Sequence, residues 1–200
     1  MSNFTKEQRR QSYIGRVEWA SKLLNSIAPT GKIVGVEIGL WKADFARMML
    51  EKNDRLYWFG IDPYFPYGKK RRTQPQWDGI YNKVVKKMEP FRERFTLIRK
   101  PSDEGVNFIP NNVDFVFVDG NHDYDMVWND ILLYEKKIRP GGILAGHDYI
   151  ARVGRSADDY AEKFNRPMLT DTHYDLHGVF WWVMTGKEFS KERTIRRFLK

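Results

Sequence analysis

Two stretches of this 200-residue chain present chemically active side chains in the same kind of setting. Val113 to Asp125 reads VDFVFVDGNHDYD, and Gly141 to Tyr149 reads GGILAGHDY. In each, a run of apolar, β-leaning residues leads directly into carboxylates and imidazoles, which places charged ligands at the C-terminal tip of a buried strand. Open α/β sheets carry their chemistry at that edge. Asp119 and His122 come from the first tip, His147 and Asp148 from the second. Four such groups on neighbouring strands form a candidate site for a metal ion and for acid/base work.

The remaining elements must bring those tips together. Thr5 to Ala28 reads as a helix, with Thr5 and Gln8 spaced for a capping box and Ile14, Val17, Ala20, Leu24 and Ile27 at helical spacing until Pro29. Its expected role is packing on the sheet or against a second copy in a homo-oligomer. Lys32 to Gly39 has strand length and ends in Glu37 and a glycine, and Trp41 to Lys52 then takes helical spacing through Phe45, Met48, Met49 and Leu50. Arg55 to Asp62 is a second buried strand. A β-α-β unit whose second strand ends in a carboxylate resembles a nucleoside-binding half, because the carboxylate can accept hydrogen bonds from both ribose hydroxyls.

Pro63 to Trp77 is rich in proline, glycine and aromatics and reads as a loop or lid, with Tyr64, Phe65, Tyr67 and Trp77 either covering substrate or packing the loop down. A helix over Asp78 to Pro90 turns Ile80, Val84, Val85 and Met88 inward. A third strand spans Phe95 to Arg99, a short helix Ser102 to Phe108, and the fourth strand Val113 to Asp119. A helix over Tyr124 to Arg139 precedes a fifth strand at Gly142 to Gly146. A polar helix near Ala157 to Phe164, a short strand near Met168 to Thr170 and a strong strand at Val179 to Met184 follow.

This alternation predicts an α/β fold, a doubly wound, mostly parallel seven-stranded sheet covered on both faces. The last two strands lack a helix-length crossover, so the last strand should run antiparallel. The chain reads as one domain, with an N-terminal helix over residues 1–30, a core over 31–185 and a basic tail over 186–200.

Composition narrows the classes. Apolar residues make up 42% and charged residues 30%, which leaves little room for long disorder. Cysteine is absent, excluding disulfides, thiolate metal sites and cysteine nucleophiles. No apolar run reaches membrane-spanning length and the first residues lack a signal-like apolar segment, so a cytoplasmic location is expected. The net charge of +8 is compatible with an anionic partner and equally with plain solubility.

The succession of motifs resembles the class I S-adenosylmethionine-dependent methyltransferases over roughly residues 30–185. That family carries an acidic-x-Gly-x-x-x-Gly turn after its first strand. Here it reads Glu37-Ile38-Gly39-Leu40-Trp41-Lys42-Ala43, with alanine at the last glycine. The resemblance assigns ribose binding to Asp62, adenine contact to Ser102 and Asp103, and further cofactor contact to Glu37, Gly39 and Asp119. The two opening stretches look like the metal-dependent O-methyltransferases, closest in pattern to the macrocin and cephalosporin hydroxylase type. By that likeness Asp119, His147 and Asp148 hold a divalent metal, magnesium or manganese, and His122 is the catalytic base. His147 stands where the family more often has a carboxylate. Magnesium prefers oxygen ligands, and imidazole suits manganese, iron, zinc or nickel better.

The expected activity is O-methylation of a small hydroxylated molecule such as a sugar or glycoside. Methylation of RNA or another polyanion is the alternative, motivated by the charge and by Lys69-Lys70-Arg71-Arg72; no appended nucleic-acid module favours it, and nucleic acid is not the expected partner. A non-catalytic binding module on the same fold is a further alternative. A nicotinamide dehydrogenase would need tight G-x-G-x-x-G spacing, which the glycine turn lacks. His173 and His177, before the last strand, could edge the pocket, with a surface position the expected one.

Overall fold

The apolar runs form a single seven-stranded sheet in a computed structural model, which describes residues 5–66, 72–172 and 176–186. Tyr67, Lys69, Lys70, Arg71, His173 and the basic tail from residue 187 lie outside the described residues. The strands are β1 (Ile33–Ile38), β2 (Leu56–Ile61), β3 (Phe95–Ile98), β4 (Val113–Val118), β5 (Ile138–His147), β6 (Leu169–Asp171) and β7 (Val179–Val183). They lie in the order β3-β2-β1-β4-β5-β7-β6. β1 to β5 pair in parallel, and β7 runs antiparallel to both β5 and β6, as the missing crossover predicts.

Among the described residues, six α-helices cover the two faces: α1 (Lys6–Ile27), α2 (Asp44–Lys52), α3 (Gln74–Met88), α4 (Ser102–Gly105), α5 (Tyr124–Tyr134) and α6 (Ala151–Phe164). The central strand β4 is buried along its whole length, and its side chains alternate between the two layers. Phe115 and Phe117 pack with Trp19, Leu24 and Phe45, while Val116 and Val118 pack with Val127, Ile131 and Trp182. Two cores on one strand explain why its sequence is apolar without alternation.

α1 begins at the capping box expected of it, where Thr5 and Gln8 exchange side-chain-to-backbone hydrogen bonds. Several boundaries differ from expectation. α3 starts at Gln74, capped by a Thr73–Gln76 box, so Trp77 is a buried helix residue and not part of a lid. Val85 on that helix is 44% exposed instead of turned inward. α5 stops at Tyr134, and a 3-10 turn over Glu135–Lys137 leads into β5 at Ile138. Pro140 and Gly141 therefore sit inside a strand, at a register shift opposite Val113 and Phe115. α6 starts at Ala151, earlier than its apolar pattern suggests, because its inner face is built partly from the small residues Gly154, Ser156 and Ala157.

Candidate active site

Strand register places the chemistry in one row. Ile38 pairs with Ile61 and with Val118, and Val118 pairs with Gly146. The next residue on each strand is then Gly39, Asp62, Asp119 and His147. Strand order reverses between β1 and β4, which opens the crevice where doubly wound sheets bind ligands. A cavity of about 1240 Å³ occupies that place, lined by Glu37, Gly39, Asp62, Ser102, Asp119, His122, His147 and Asp148 among others. This volume exceeds the roughly 300 to 1,000 Å³ of ordinary single-ligand sites, which leaves room for a second molecule.

Gly39 sits at φ +89°, and a β-carbon there would meet the Asp119 carbonyl oxygen at 2.1 Å. Only glycine lets the β1 turn touch the β4 tip. Ala43, the residue at the second glycine position, also adopts a left-handed conformation (φ 57°) at the start of α2. Asp62 accepts backbone N–H bonds from Trp41 and Tyr64, one on each carboxylate oxygen and both at 2.9 Å. Those bonds fix its plane while leaving further lone pairs on each oxygen. Glu37 is buried, with Trp58 Nε1 donating to it at 3.1 Å. Burial first, and the nearby Asp119 second, push its carboxyl well above the usual range.

At the β4 and β5 tips the ion pairs converge on two carboxylates. Asp119 receives Arg16 Nη1 on Oδ2 at 3.2 Å and faces His147 Nδ1 at 3.3 Å. Asp148 Oδ2 lies 3.1 Å from His122 Nε2 and 3.3 Å from His147 Nδ1, and its Oδ1 lies 2.8 Å from His177 Nδ1. Burial works to raise the Asp148 pKa, but the hydrogen bond from His147 and the three surrounding imidazoles outweigh it, so its carboxyl lies below the usual range. Asp148 also holds a left-handed backbone conformation, φ 52°, a strain that persists only where surrounding contacts over-determine it. Two overlapping sets, Asp119/His122/Asp148 and His147/Asp148/His177, bring their ligand atoms within 4.8 Å of one another.

The expected residues therefore meet in one place, with two differences. Asp103 is exposed and does not line the cavity; its Oδ1 accepts from the Glu104 N–H. His177 joins the site instead of the surface. The signal for it was available: an antiparallel strand begins where its parallel neighbours end, and Val179 pairs with His147. Arg16 and Tyr13, from α1, also line the cavity, with the Arg16 guanidinium 4.8 Å from the Tyr13 ring. Helical spacing alone gave α1 a packing role, because one arginine on a charged helix carries no mark of its destination. Asp130 on α5, another cavity residue, was likewise masked by its place in a helical pattern.

Residues 34–149 match the family described as Methyltransferase domain, and the chain belongs to that family. Over those residues it carries a methyltransferase domain, built on a mostly parallel α/β sheet of the Rossmann-like kind. A viral relative, uncharacterized protein R132 of Acanthamoeba polyphaga mimivirus, is 29% identical over 119 residues, 57% of this chain and 50% of the relative. The chain spans about half the length of that curated relative. Among solved structures, the O-methyltransferase NovP superposes with a TM-score of 0.65 at 18% identity, covering 91% of this chain and 89% of NovP. The O-methyltransferase TomG from Streptomyces achromogenes, involved in tomaymycin synthesis and solved with S-adenosylmethionine, gives 0.61 at 11% identity and 92% of each chain. At these identities the likeness speaks for the fold alone. Among the described residues, no helix is long and apolar enough to cross a membrane.

Proposed function

We propose that the chain methylates a hydroxyl oxygen of a small molecule, a sugar or glycoside being the expected kind, with a divalent cation at the strand tips. The observation that carries this reading is Asp148, a buried carboxylate that gathers three imidazoles beside Asp119 at the edge of the cavity. The donor set fits a cation. Arg16 already balances one of the two carboxylates, and the other stands among nitrogen donors that can share a cation with it. Mixed nitrogen and oxygen donors suit manganese better than magnesium. Asp119, His147 and Asp148 would hold the ion, with His177 as a further nitrogen donor, and a bound cation lowers the pKa of an oxygen it meets.

S-adenosylmethionine supplies a methyl group on a sulfonium. Gly39 would let the backbone come close to the cofactor, Asp62 would accept from the ribose hydroxyls, and Glu37, Ser102 and Asp119 would complete that wall. His122 is the base. Asp148 accepts from its Nε2–H, which selects the tautomer whose lone pair is on Nδ1, and Nδ1 takes the proton as the oxygen–carbon bond forms. The residues that would bind cofactor and acceptor contribute chiefly by positioning, an effect worth roughly 7 to 11 kcal/mol.

Calorimetric titration with S-adenosylmethionine and S-adenosylhomocysteine, with and without Mg²⁺ or Mn²⁺, tests the reading on the wild type and on Asp119→Ala. Cofactor binding together with a metal signal that Asp119→Ala removes is the expected result. Cofactor binding that no divalent ion alters, with no heat from metal alone, would overturn the metal centre.

A further inference from the structure

Exposed hydrophobic side chains are unevenly placed on this molecule. Among the described residues eight large ones stay exposed, and Val85, Phe108, Leu169 and Val183 lie away from the cavity. The other four, Phe65, Met126, Ile150 and Leu176, all line it while remaining 38 to 51% exposed. Single apolar side chains on a surface need no cause, whereas several gathered at one concave site mark a surface that a ligand covers.

Three of the four arrive with the imidazole cluster. Met126 follows His122 in the first turn of α5, Ile150 follows Asp148, and Leu176 precedes His177. Because Asp148 pairs with His122 at 3.1 Å and with His177 at 2.8 Å, these segments converge on one carboxylate. The Leu176 N–H donates to Ser12 Oγ on α1 at 3.1 Å, and Ile150 stands in a turn with left-handed backbone at both Asp148 and Ala151. Turns of that kind persist only where neighbouring contacts fix them, so the apolar rim is a built feature beside the proposed reaction centre. Phe65 joins the cavity from the loop after β2.

Charge narrows what can lie there. The chain carries a net charge of +8, yet Arg16 is the only lysine or arginine among the described residues that line the cavity, and it is buried against Asp119. A nucleic acid or other phosphate chain needs several accessible cations along its contact surface. The rim offers hydrocarbon instead.

We propose that the acceptor is an uncharged amphiphile, with its hydroxyl at His122 and the strand tips and with an attached hydrocarbon or aromatic body covering Met126, Ile150 and Leu176. The inference rests on the reading of this cavity as a methyl-acceptor site and narrows it: a bare sugar has no part to cover the rim, and a polyanion finds no cations there.

The test is fluorescence titration of the full chain with N-phenyl-1-naphthylamine, a neutral apolar dye, in metal-free buffer with S-adenosylhomocysteine saturating. The dye is then displaced with methyl β-glucoside, hexyl β-glucoside and hexyl β-glucuronide, which share a ring and differ in chain or charge. Hexyl glucoside should compete about 10- to 100-fold better than methyl glucoside, as burial of about two or three methylenes gives. Hexyl glucuronide should compete no better than hexyl glucoside. Ile150→Asp and Leu176→Asp should each weaken dye and hexyl glucoside about tenfold while leaving affinity for S-adenosylhomocysteine unchanged. Both positions are exposed, so the fold should tolerate the change, and thermal melts check it. Equal competition by the two glucosides would overturn the inference, as would a tenfold preference for the glucuronide. So would a dimer in light scattering that Ile150→Asp dissociates, because a second copy would then cover the rim. Failure of wild type to bind S-adenosylhomocysteine would instead strike the methyltransfer reading itself, a separable result.

Discussion

The two ends of the cavity handle buried carboxylates in opposite ways. At the β5 end, Asp148 and Asp119 are surrounded by Arg16 and by imidazole nitrogens within about hydrogen-bond reach. At the α4–α5 end, Asp130 has one partner and one empty oxygen. The first arrangement keeps negative charge in place and offers exchangeable donors. The second keeps its carboxyl in a dry position, where burial holds the proton more tightly. Donors gathered around a carboxylate preserve its charge, and withdrawing them favours the neutral acid.

The largest test of that contrast is Asp119→Ala. It should remove metal binding and methyl transfer together, and it should destabilise the fold by about 1 to 3 kcal/mol through loss of the Arg16–Asp119 ion pair. Metal titration and chemical denaturation read the two effects separately, and a variant as stable as wild type would mean that Arg16 is balanced elsewhere. His122→Ala comes next. Single-turnover transfer to an accepted hydroxyl should slow by about 10² to 10⁴-fold while affinity for S-adenosylhomocysteine stays the same. A loss confined to cofactor affinity would place His122 outside the proton path.

The other end is sharpened by pH. Asp130 has a folded pKa near 7, raised from 3.8, so between those values the folded protein holds a proton that the unfolded chain has released. This contribution to stability is fully present below pH 3.8 and is lost as pH rises toward 7. Without cofactor, wild type should lose roughly 3 to 4 kcal/mol relative to Asp130→Asn across that window, at about 1.4 kcal/mol per pH unit. Parallel stability curves for the two proteins would place the carboxyl in better solvation than its burial implies. The smallest effect belongs to His177→Ala, which should weaken Mn²⁺ binding by about tenfold, as loss of an auxiliary contact does. An unchanged metal affinity would reduce His177 to a partner of Asp148 alone.

The frame of this site was legible because its strands obey simple rules. A fully buried strand needs an unbroken apolar run, and the run ends where the chain reaches solvent and polar chemistry, so Asp62, Asp119 and His147 announced themselves by following VDFVFV-type stretches. Gly39 was legible for a related reason, since a tight turn beside a neighbouring strand leaves no room for a β-carbon. Arg16 and Asp130 were not read because each reaches the cavity through tertiary packing, and His177 was placed at the surface although the antiparallel strand that follows it sets Val179 beside His147. Nothing within a few residues of Arg16 records that Asp119 lies across from it, and Asp130 looks like any polar residue on an amphipathic helix. Asp103 illustrates the reverse error: a carboxylate in the right sequence position turned to its own backbone. The shift in the start of α3 has the same origin, since the Thr73–Gln76 cap outweighed a composition that reads as loop.

The contact between Arg16 and Asp119 spans 103 positions, and the hydrogen bond from the Leu176 N–H to the Ser12 hydroxyl spans 164. The first helix and the approach to the last strand thus close the same cavity. On the ribosome, a nascent chain could pair β1 with β2 early, yet it could not assemble the imidazole cluster until His177 had left the exit tunnel. The proposed methyl transfer would then begin only after the chain through His177 is made, which ties the onset of activity to a late step of folding.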